Sequence, residues 1–142
     1  GTGVITRALI KQGVPPERLL VVEMNDVLHG LLRHAFPRAH VVCGDARALP
    51  KLIAQGGTFG TRPVDAVVSS LGLLAMPASV QSDILSAAFE ALRPGGVFVQ
   101  YTYGPSRPVA PEVCAALGLR ARRQGWAWRN LPPARVYVYS RA

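Results

Sequence analysis

Three stretches decide the fold: Gly1-Thr2-Gly3, then Leu19-Leu20-Val21-Val22-Glu23, then His40-Val41-Val42-Cys43-Gly44-Asp45. The first is a glycine turn, and each of the others is a short apolar strand with an acidic residue at or just after its end. A glycine turn followed about 20 residues later by an acid at a strand end is typical of a nucleotide-type cofactor cleft in a parallel α/β sheet. We therefore predict such a cleft at the carboxyl ends of these strands.

The second acid, Asp45, decides which cofactor the pattern favours. It follows Glu23 at about the distance that separates Glu23 from the glycine turn. Glu23 can accept both ribose hydroxyls, and Asp45 in Gly44-Asp45-Ala46 can accept the adenine amino group. This spacing predicts S-adenosylmethionine rather than a nicotinamide. The alternatives are that Glu23 is a solvated acid capping the next turn and that Asp45 is a helix-capping aspartate.

The composition predicts one globular domain over residues 1–142, because 49% of the residues are apolar and 17% are charged. No run approaches the ~18 to 20 apolar residues that span a bilayer, and residues 1–12 do not read as a secretory signal. A glycine turn of this kind should follow a hydrophobic strand. We therefore expect the domain to be N-terminally truncated in this chain, with its first strand missing.

The cysteines and histidines do not predict a metal site. Cys43 and Cys114 stand about 70 residues apart in apolar settings, which favours buried free thiols in a reducing cytoplasm. His29, His34 and His40 lack the i, i+4 spacing of helical zinc ligands. We expect no metal in this protein.

The alternation of helix-like and strand-like segments predicts a doubly wound α/β sheet that is closed by a C-terminal antiparallel hairpin. Helices are predicted over residues 6–12, 26–35, 78–92 and 109–117, with a short helix or turn over 48–54. Strands are predicted over residues 19–23, 40–43, 64–69, 97–103, 119–128 and 135–140. In the helix over 26–35, Asp26 is expected to be the cap, and the side chains expected to face the core are Val27, Leu28, Leu31, Leu32 and Ala35.

The segment after the strand predicted over residues 64–69 and the two tyrosines of the strand predicted over 97–103 suit methyl transfer. Ser69-Ser70-Leu71-Gly72-Leu73-Leu74 is uncharged and mostly apolar, and transfer from a sulfonium mainly needs placement and desolvation. Tyr101 and Tyr103 are expected on one strand face with Thr102 opposite. An aromatic face stabilises a quaternary ammonium by ~0.5 to 2 kcal/mol, although both residues can also be ordinary strand tyrosines.

The order of these motifs resembles a known family of enzymes. Gly1-Thr2-Gly3, Val21-Val22-Glu23, Gly44-Asp45-Ala46 and Leu92-Arg93-Pro94-Gly95-Gly96 resemble class I S-adenosylmethionine-dependent methyltransferases. Asp65-Ala66-Val67-Val68-Ser69 and the stretches 98–105 and 130–137 further resemble bacterial phospholipid N-methyltransferases. Those enzymes methylate phosphatidylethanolamine stepwise toward phosphatidylcholine. The resemblance runs from residue 1 to about residue 141.

The resemblance implies a Rossmann-like sheet of seven strands in the order 3-2-1-4-5-7-6, with helices on both faces. It places Gly1, Thr2 and Gly3 on the methionine and sugar, Glu23 on the ribose, and Asp45 with Ala46 on the adenine. Met24 and Ser69 are further candidates for cofactor binding. The substrate loop would consist of Ser70, Leu71 and Gly72, although the family tends to show glycine and proline where Ser70 and Gly72 stand. Tyr103, with Tyr101, would contact the substrate amine.

The net charge of +8 points to an anionic partner. Seven arginines and one acid, Glu112, lie between Arg107 and Ala142. They fit a phospholipid headgroup at an anionic membrane surface, and a solvated arginine-rich face is the alternative. The expected location is the cytoplasm, at the inner face of the membrane.

Two other functions remain open at this stage. An rRNA adenine methyltransferase would need a motif of the Asn-x-Pro-aromatic type after the strand predicted over residues 64–69 to hold a flipped base, and this sequence has none there. Nucleic acid is therefore not the expected partner. A non-catalytic remnant that binds lipid or another protein is the second alternative. The sequence gives no basis for an oligomeric state.

Overall fold

The computed structural model describes residues 3–127 and 134–141. The chain divides into two compact units, Gly1–Arg62 and Pro63–Ala142, and the prediction of one domain stays a prediction. The helices are α1 (Val4–Lys11), α2 (Asp26–Ala35), α3 (Leu49–Ala54), α4 (Ala78–Ala91) and α5 (Pro111–Leu117). The strands are β1 (Leu20–Glu23), β2 (His40–Cys43), β3 (Val64–Ser69), β4 (Leu92–Thr102), β5 (Leu119–Ala127) and β6 (Ala134–Arg141).

The first unit contains a pair of parallel strands, β1 and β2. Their register sets Leu20 opposite His40 and Glu23 opposite Cys43. One step further, the Gly44 amide donates to the Glu23 carbonyl at 3.1 Å. Because parallel strands end at the same edge of a sheet, Glu23 and the segment that follows β2 come to one edge, as the sequence predicted.

Asn25, and not Asp26, caps α2. The Asn25 Oδ1 atom accepts hydrogen bonds from the amides of Val27 and Leu28, each at 3.0 Å. Asp26 lies in the first helical turn, where its carboxylate interacts favourably with the helix dipole. The prediction that Asp26 is the cap was wrong by one residue, because the asparagine before it reaches both of these amides.

The buried side of α2 is narrower than the sequence pattern predicted. Leu32 and Phe36 are buried, whereas 72% of Val27 and 60% of Leu31 are exposed, and Ala35 is exposed as well. Gly3 lies against the buried side. It has a positive φ of 87°, and a Cβ on it would lie 2.6 Å from the Phe36 ring. The prediction of a wide apolar face was wrong, because Leu32 is the one side chain of α2 that its described neighbours bury.

The second unit is built on one mixed sheet in the order β3-β4-β6-β5. β3 pairs with β4 in parallel, and the pairs β4–β6 and β5–β6 are antiparallel. Phe98 and Tyr139, both buried, contact each other edge to face with their ring centroids 6.3 Å apart. The family order 3-2-1-4-5-7-6 includes a first strand that this chain is expected to lack. With that strand set aside, β1 and β2 pair as family strands 2 and 3, and β3, β4, β6 and β5 follow the family order 4-5-7-6. The α/β Rossmann-like fold with C-terminal antiparallel strands is thereby confirmed.

α4 ends at Ala91, one residue before the predicted end, and the next strand begins earlier than predicted. β4 starts at Leu92 rather than Val97, and it ends at Thr102. A Cβ at Gly96 would lie 3.0 Å from the Arg93 carbonyl oxygen and 3.1 Å from that of Asp65, so a larger residue would crowd the backbone at this irregular part of β4. The Arg93 side chain also donates to the Asp65 carboxylate at 2.6 Å.

The two thiols differ in their surroundings. Cys43 is exposed and Cys114 is intermediate in exposure, so the prediction of a buried thiol was wrong for Cys43. The Cys43 Sγ atom lies 3.4 Å from a carboxylate oxygen of Asp26. That hydrogen bond is the main cause that raises the pKa of the Cys43 thiol, because the thiol must keep its proton to donate.

The capping role of Asn25 can be measured directly. Asn25→Ala removes the acceptor of two helix amides and is expected to lower the free energy of unfolding by about 1 kcal/mol. Asn25→Asp keeps a capping oxygen and should lose much less. Urea unfolding of the three proteins checks this expectation. An equal loss for both variants would contradict the assigned cap.

Candidate functional site

Glu23 stands at the carboxyl end of β1, and the following turn orients its side chain. The residue is half-buried, and its Oε2 atom accepts the Asn25 amide at 3.1 Å. The alternative that Glu23 caps the next turn is therefore present in the structure. A carboxylate has about four acceptor positions, so this hydrogen bond does not preclude binding of ribose hydroxyls. The ribose role stays a prediction.

Asp45 caps the 3-10 turn Ala46–Ala48 and holds Arg47. Its Oδ1 atom accepts the Arg47 amide at 2.9 Å, and the Arg47 guanidinium donates to Oδ2 from Nη2 at 2.7 Å and from Nε at 3.1 Å. The Arg47 side chain is the main cause that lowers the pKa of the Asp45 carboxyl. An adenine amino group would have to share this carboxylate with Arg47, a partner that the sequence reasoning missed.

The other cofactor candidates of the first unit occupy different positions. Met24 is exposed over 68% of its surface, directly after Glu23, and Ala46 is half-buried. Gly3 precedes α1, whose first turn has no side-chain cap, so its amides can face a ligand. The structure places Gly3 against the second half of α2. Gly1 and Thr2 lie outside the described residues.

These residues supply the groups that S-adenosylmethionine needs. Glu23 offers acceptors for ribose hydroxyls, and Met24 offers an exposed apolar surface for a purine. The uncapped amides at the start of α1 suit a carboxylate. Bound S-adenosylmethionine would supply an electrophilic methyl group on a sulfonium.

In the second unit, the segment after β3 forms an exposed, uncharged surface. Ser69 is buried, and its hydroxyl accepts the Leu71 amide at 3.2 Å. Ser70 and Gly72 are exposed. Exposed fractions are 39% for Leu71, 51% for Leu74 and 61% for Tyr103. We call these last three side chains the loop patch.

The segments after β3 and β4 are neighbours. A Cβ at Gly104 would lie 3.6 Å from Leu74 Cδ2, so the Leu74 side chain reaches the residue that follows Tyr103. Tyr101 is half-buried in β4 opposite Val136. Tyr103 lies beyond the end of the strand, so the alternation that predicted a shared face for the tyrosines ends at Thr102. Of the two tyrosines, Tyr103 has much the larger exposed face.

Two buried glutamines that the sequence reasoning missed, Gln100 and Gln81, hold the segment after β3. Gln100 is fully buried, and its Nε2 atom donates to the carbonyls of Leu71 at 2.7 Å and Tyr101 at 2.9 Å. Its Oε1 atom is buried without a partner among the described residues, an arrangement that costs ~1 to 3 kcal/mol. The signal in the sequence is a polar residue at the inward position after Phe98, where alternation calls for an apolar one.

The arginines of the second unit serve several structural purposes. Arg120, Arg122 and Arg123 are exposed on β5, the edge strand of the sheet, where charge opposes edge-to-edge aggregation. The Arg141 guanidinium lies 5.5 Å from the Phe89 ring centroid, and Arg135 donates to the Pro105 carbonyl at 2.8 Å. In the stretch 130–137 that resembles phospholipid N-methyltransferases, residues 130–133 lie outside the described residues. Within the described ranges, no helix has both the length and the apolarity to cross a membrane.

Comparison with known proteins identifies the family. Residues 1–96 match a family model described as a methyltransferase domain, and the chain therefore belongs to the methyltransferase domain family. A search of curated protein sequences found no match.

Solved structures show the same fold over the whole chain. A glycopeptide N-methyltransferase, MtfA, complexed with S-adenosylmethionine is 15% identical with a TM-score of 0.69, and the match covers 100% of this chain and 84% of MtfA. A proposed rRNA methylase from Clostridium thermocellum is 19% identical with a TM-score of 0.67 and coverages of 100% and 83%. A TehB-like S-adenosylmethionine-dependent methyltransferase from Corynebacterium glutamicum is 19% identical with a TM-score of 0.66 and coverages of 100% and 76%.

These findings confirm a methyltransferase that uses S-adenosylmethionine. At such low identities the structural likeness carries the fold and no substrate. The assignment of particular residues to cofactor and substrate remains a prediction.

Calorimetric titration with S-adenosylhomocysteine measures the role of Glu23. Glu23→Gln keeps the shape of the side chain but removes the charge from its hydrogen bonds, so the affinity should fall about ten- to hundredfold. Glu17→Gln is the matched control, because Glu17 is an acid of the same unit whose partner is the exposed Arg38. Equal affinities for both variants would contradict the assignment of Glu23 to the ribose.

Acid titration tests the pair of Asp45 and Arg47. The lowered pKa of Asp45 means that its stabilising effect is present above the usual aspartate value of about 3.9 and is lost as the pH falls through the lowered value. Arg47→Met should raise the pKa of Asp45 in carboxyl NMR titrations and make the loss of stability below about pH 4 shallower. An unchanged pKa of Asp45 would show that Arg47 does not hold it.

Proposed function

We propose that this protein methylates the amine of a phospholipid headgroup, with phosphatidylethanolamine as the substrate and phosphatidylcholine as the end of the series. The observation that carries the proposal is the loop patch. Three exposed apolar or aromatic side chains, Leu71, Leu74 and Tyr103, follow the carboxyl ends of the parallel strands β3 and β4. In open α/β sheets, this is the edge at which ligands bind.

The chemistry of the loop patch suits an amine that becomes a quaternary ammonium. Residues 69–76 contain no charged side chain, so the segment would not hold the amine in its protonated, unreactive form through an ion pair. As methyl groups accumulate, the product gains a permanent positive charge. The exposed face of Tyr103 can stabilise such a cation, which supports a role for its ring in the later methylation steps.

The rest of the headgroup also has suitable partners. Arg107, in the segment after β4, is exposed, and arginine is well matched to a phosphodiester. The net charge of +8 would favour an anionic membrane surface, at about 1 kcal/mol for each basic residue near it. Exposed leucines beside Tyr103 would contact the acyl region. These features support a peripheral location at the inner face of the membrane.

The resemblance of the stretches 98–105 and 130–137 to bacterial phospholipid N-methyltransferases supports the same substrate. Methylation of rRNA adenine is the weaker proposal. Residues 69–74 have neither the polar clamp nor the aromatic that would hold a flipped base. A structural likeness to a proposed rRNA methylase does not change this, because it carries the fold alone.

Transfer of a labelled methyl group to lipid vesicles tests the proposal. Vesicles that contain phosphatidylethanolamine and an anionic lipid should become labelled in the presence of S-adenosylmethionine and the protein, and vesicles of phosphatidylcholine should not. Tyr103→Leu is expected to lower kcat/KM by about 3- to 30-fold, as loss of a ring–cation contact predicts. Tyr103→Phe keeps the ring and should retain more activity than Tyr103→Leu.

Three results would count against the proposal. Label in an RNA substrate, with none in phosphatidylethanolamine, would favour the rRNA methyltransferase. Cofactor binding without transfer to either substrate would contradict both, as would no binding at all, which the non-catalytic alternative predicts.

A further inference from the structure

The segment that joins β3 to α4 is held from two sides by buried glutamine side chains of the second unit. Gln100 comes from β4 and Gln81 from α4. Neither contacts solvent appreciably: Gln100 is 0% exposed and Gln81 is 4% exposed. We call these two side chains the glutamine clamp.

Gln100 fixes the start of the segment. Its Nε2 atom donates to the Leu71 carbonyl at 2.7 Å and to the Tyr101 carbonyl at 2.9 Å. Since both partners are acceptors, the amide nitrogen must face them, and the orientation of the amide is determined. The Leu71 carbonyl also receives the Leu73 amide at 2.8 Å, so one carbonyl connects the clamp to the turn.

Gln81 fixes the end of the segment. Its Nε2 atom donates to the carbonyls of Leu73 at 2.7 Å and Met76 at 3.3 Å. Its Oε1 atom accepts the amide of Ala110, directly before α5, at 2.8 Å. Gln81 thus ties three parts of the second unit together: α4, on which it lies, the segment of residues 70–76, and the residue directly before α5.

Between these anchors the segment is ordered by short-range contacts: the amides of Ala75 and Met76 donate to the carbonyls of Gly72 at 3.2 Å and Leu73 at 2.9 Å, and the Leu73 side chain is buried. Leu73–Ala75 forms one 3-10 turn of three residues, and an isolated turn of this length is not stable in water. Leu71 and Leu74, which are part of the loop patch, extend from this stretch into solvent. Their positions therefore depend on the carbonyls that the clamp holds.

Gln100 is a poor choice for filling space. A methionine has nearly the same shape and fills buried gaps well, and it would remove the Oε1 atom, which is buried without a described partner. It would also remove the donor to the carbonyls of Leu71 and Tyr101. What Gln100 adds over methionine is the pair of hydrogen bonds that hold Leu71 and Tyr101. Its contribution is therefore to the placement of the segment, because the cost of its buried, unpaired oxygen offsets part of what the two hydrogen bonds add to global stability.

We infer that Gln100 and Gln81 are positioning residues of the methyltransferase: they hold residues 70–76 in the conformation that accepts the amine substrate, and thereby set its affinity. This inference rests on the proposed function in one respect, the assignment of residues 70–72 to the substrate loop. Neither glutamine needs to touch substrate or cofactor.

Hydrogen–deuterium exchange and steady-state kinetics test the inference together. The variants are Gln100→Met and Gln81→Met, with Gln124→Met, an exposed glutamine on β5, as the matched control. Loss of the clamp should speed the exchange of the amides in residues 70–76 roughly tenfold, because local opening becomes easier. The melting temperature of Gln100→Met should change little, because the loss of two hydrogen bonds is offset by the removal of the buried, unpaired oxygen.

The kinetic expectation separates positioning from chemistry. KM for the amine substrate should rise roughly five- to tenfold in both clamp variants, with kcat within about twofold, as loss of uniform binding predicts. The affinity for S-adenosylhomocysteine should not change. Gln124→Met should match the unmodified protein in every measurement.

Each failure has its own meaning. Unchanged exchange in residues 70–76 would overturn the clamp, and faster exchange with unchanged KM would overturn its link to the substrate. If the unmodified protein does not methylate phosphatidylethanolamine, the proposed function fails, and exchange alone decides the clamp. A variant that does not fold is replaced by a measurement on the unmodified protein, in which rapid exchange of the Gln100 and Gln81 side-chain amide protons would overturn the inference.

Discussion

Parallel strands end at the same edge of a sheet, and this constraint places the candidate residues that lie at or directly after the ends of β1, β2 and β3. In the first unit, the pairing of Glu23 with Cys43 brings the acid of β1 beside the turn that carries Asp45. In the second unit, the pairing of Ser69 with Gln100 brings the ends of β3 and β4 together. The chemistry therefore depends on segments that begin where the ladder hydrogen bonds stop.

Beyond those strand ends, side chains take over the task of fixing the backbone. Asn25 caps α2 directly after the turn that Glu23 orients, and Asp45 caps its own turn while it binds Arg47. Gln100 and Gln81 do the same for the segment after β3. Each device is local and uses groups that form well-directed hydrogen bonds. The conformations of the proposed binding segments thus rest on a small number of side chains.

The proposal of a membrane-facing enzyme draws on the charge and the exposed apolar area of the protein, although structural uses account for part of the charge. Arginines protect the edge strand β5, and Arg141 packs over the Phe89 ring. The loop patch, by contrast, leaves Tyr103, Leu71 and Leu74 exposed within the described residues. The proposed substrate follows from this difference, together with the motifs of the sequence.

The sequence by itself determined the order of helices and strands, the parallel α/β class, the C-terminal hairpin and the class of cofactor. These follow from local periodicity, turn residues and the spacing of Glu23 and Asp45 along the chain. Only the tertiary structure decided that Asn25 rather than Asp26 caps α2, that Val27, Leu31 and Cys43 are exposed, and that Gln100 holds Leu71. Exposure depends on which neighbouring element covers a face, and the hydrogen bond joins residues 29 positions apart. The choice of cap depends on which of two adjacent polar side chains reaches the helix amides, and residue type alone does not settle it.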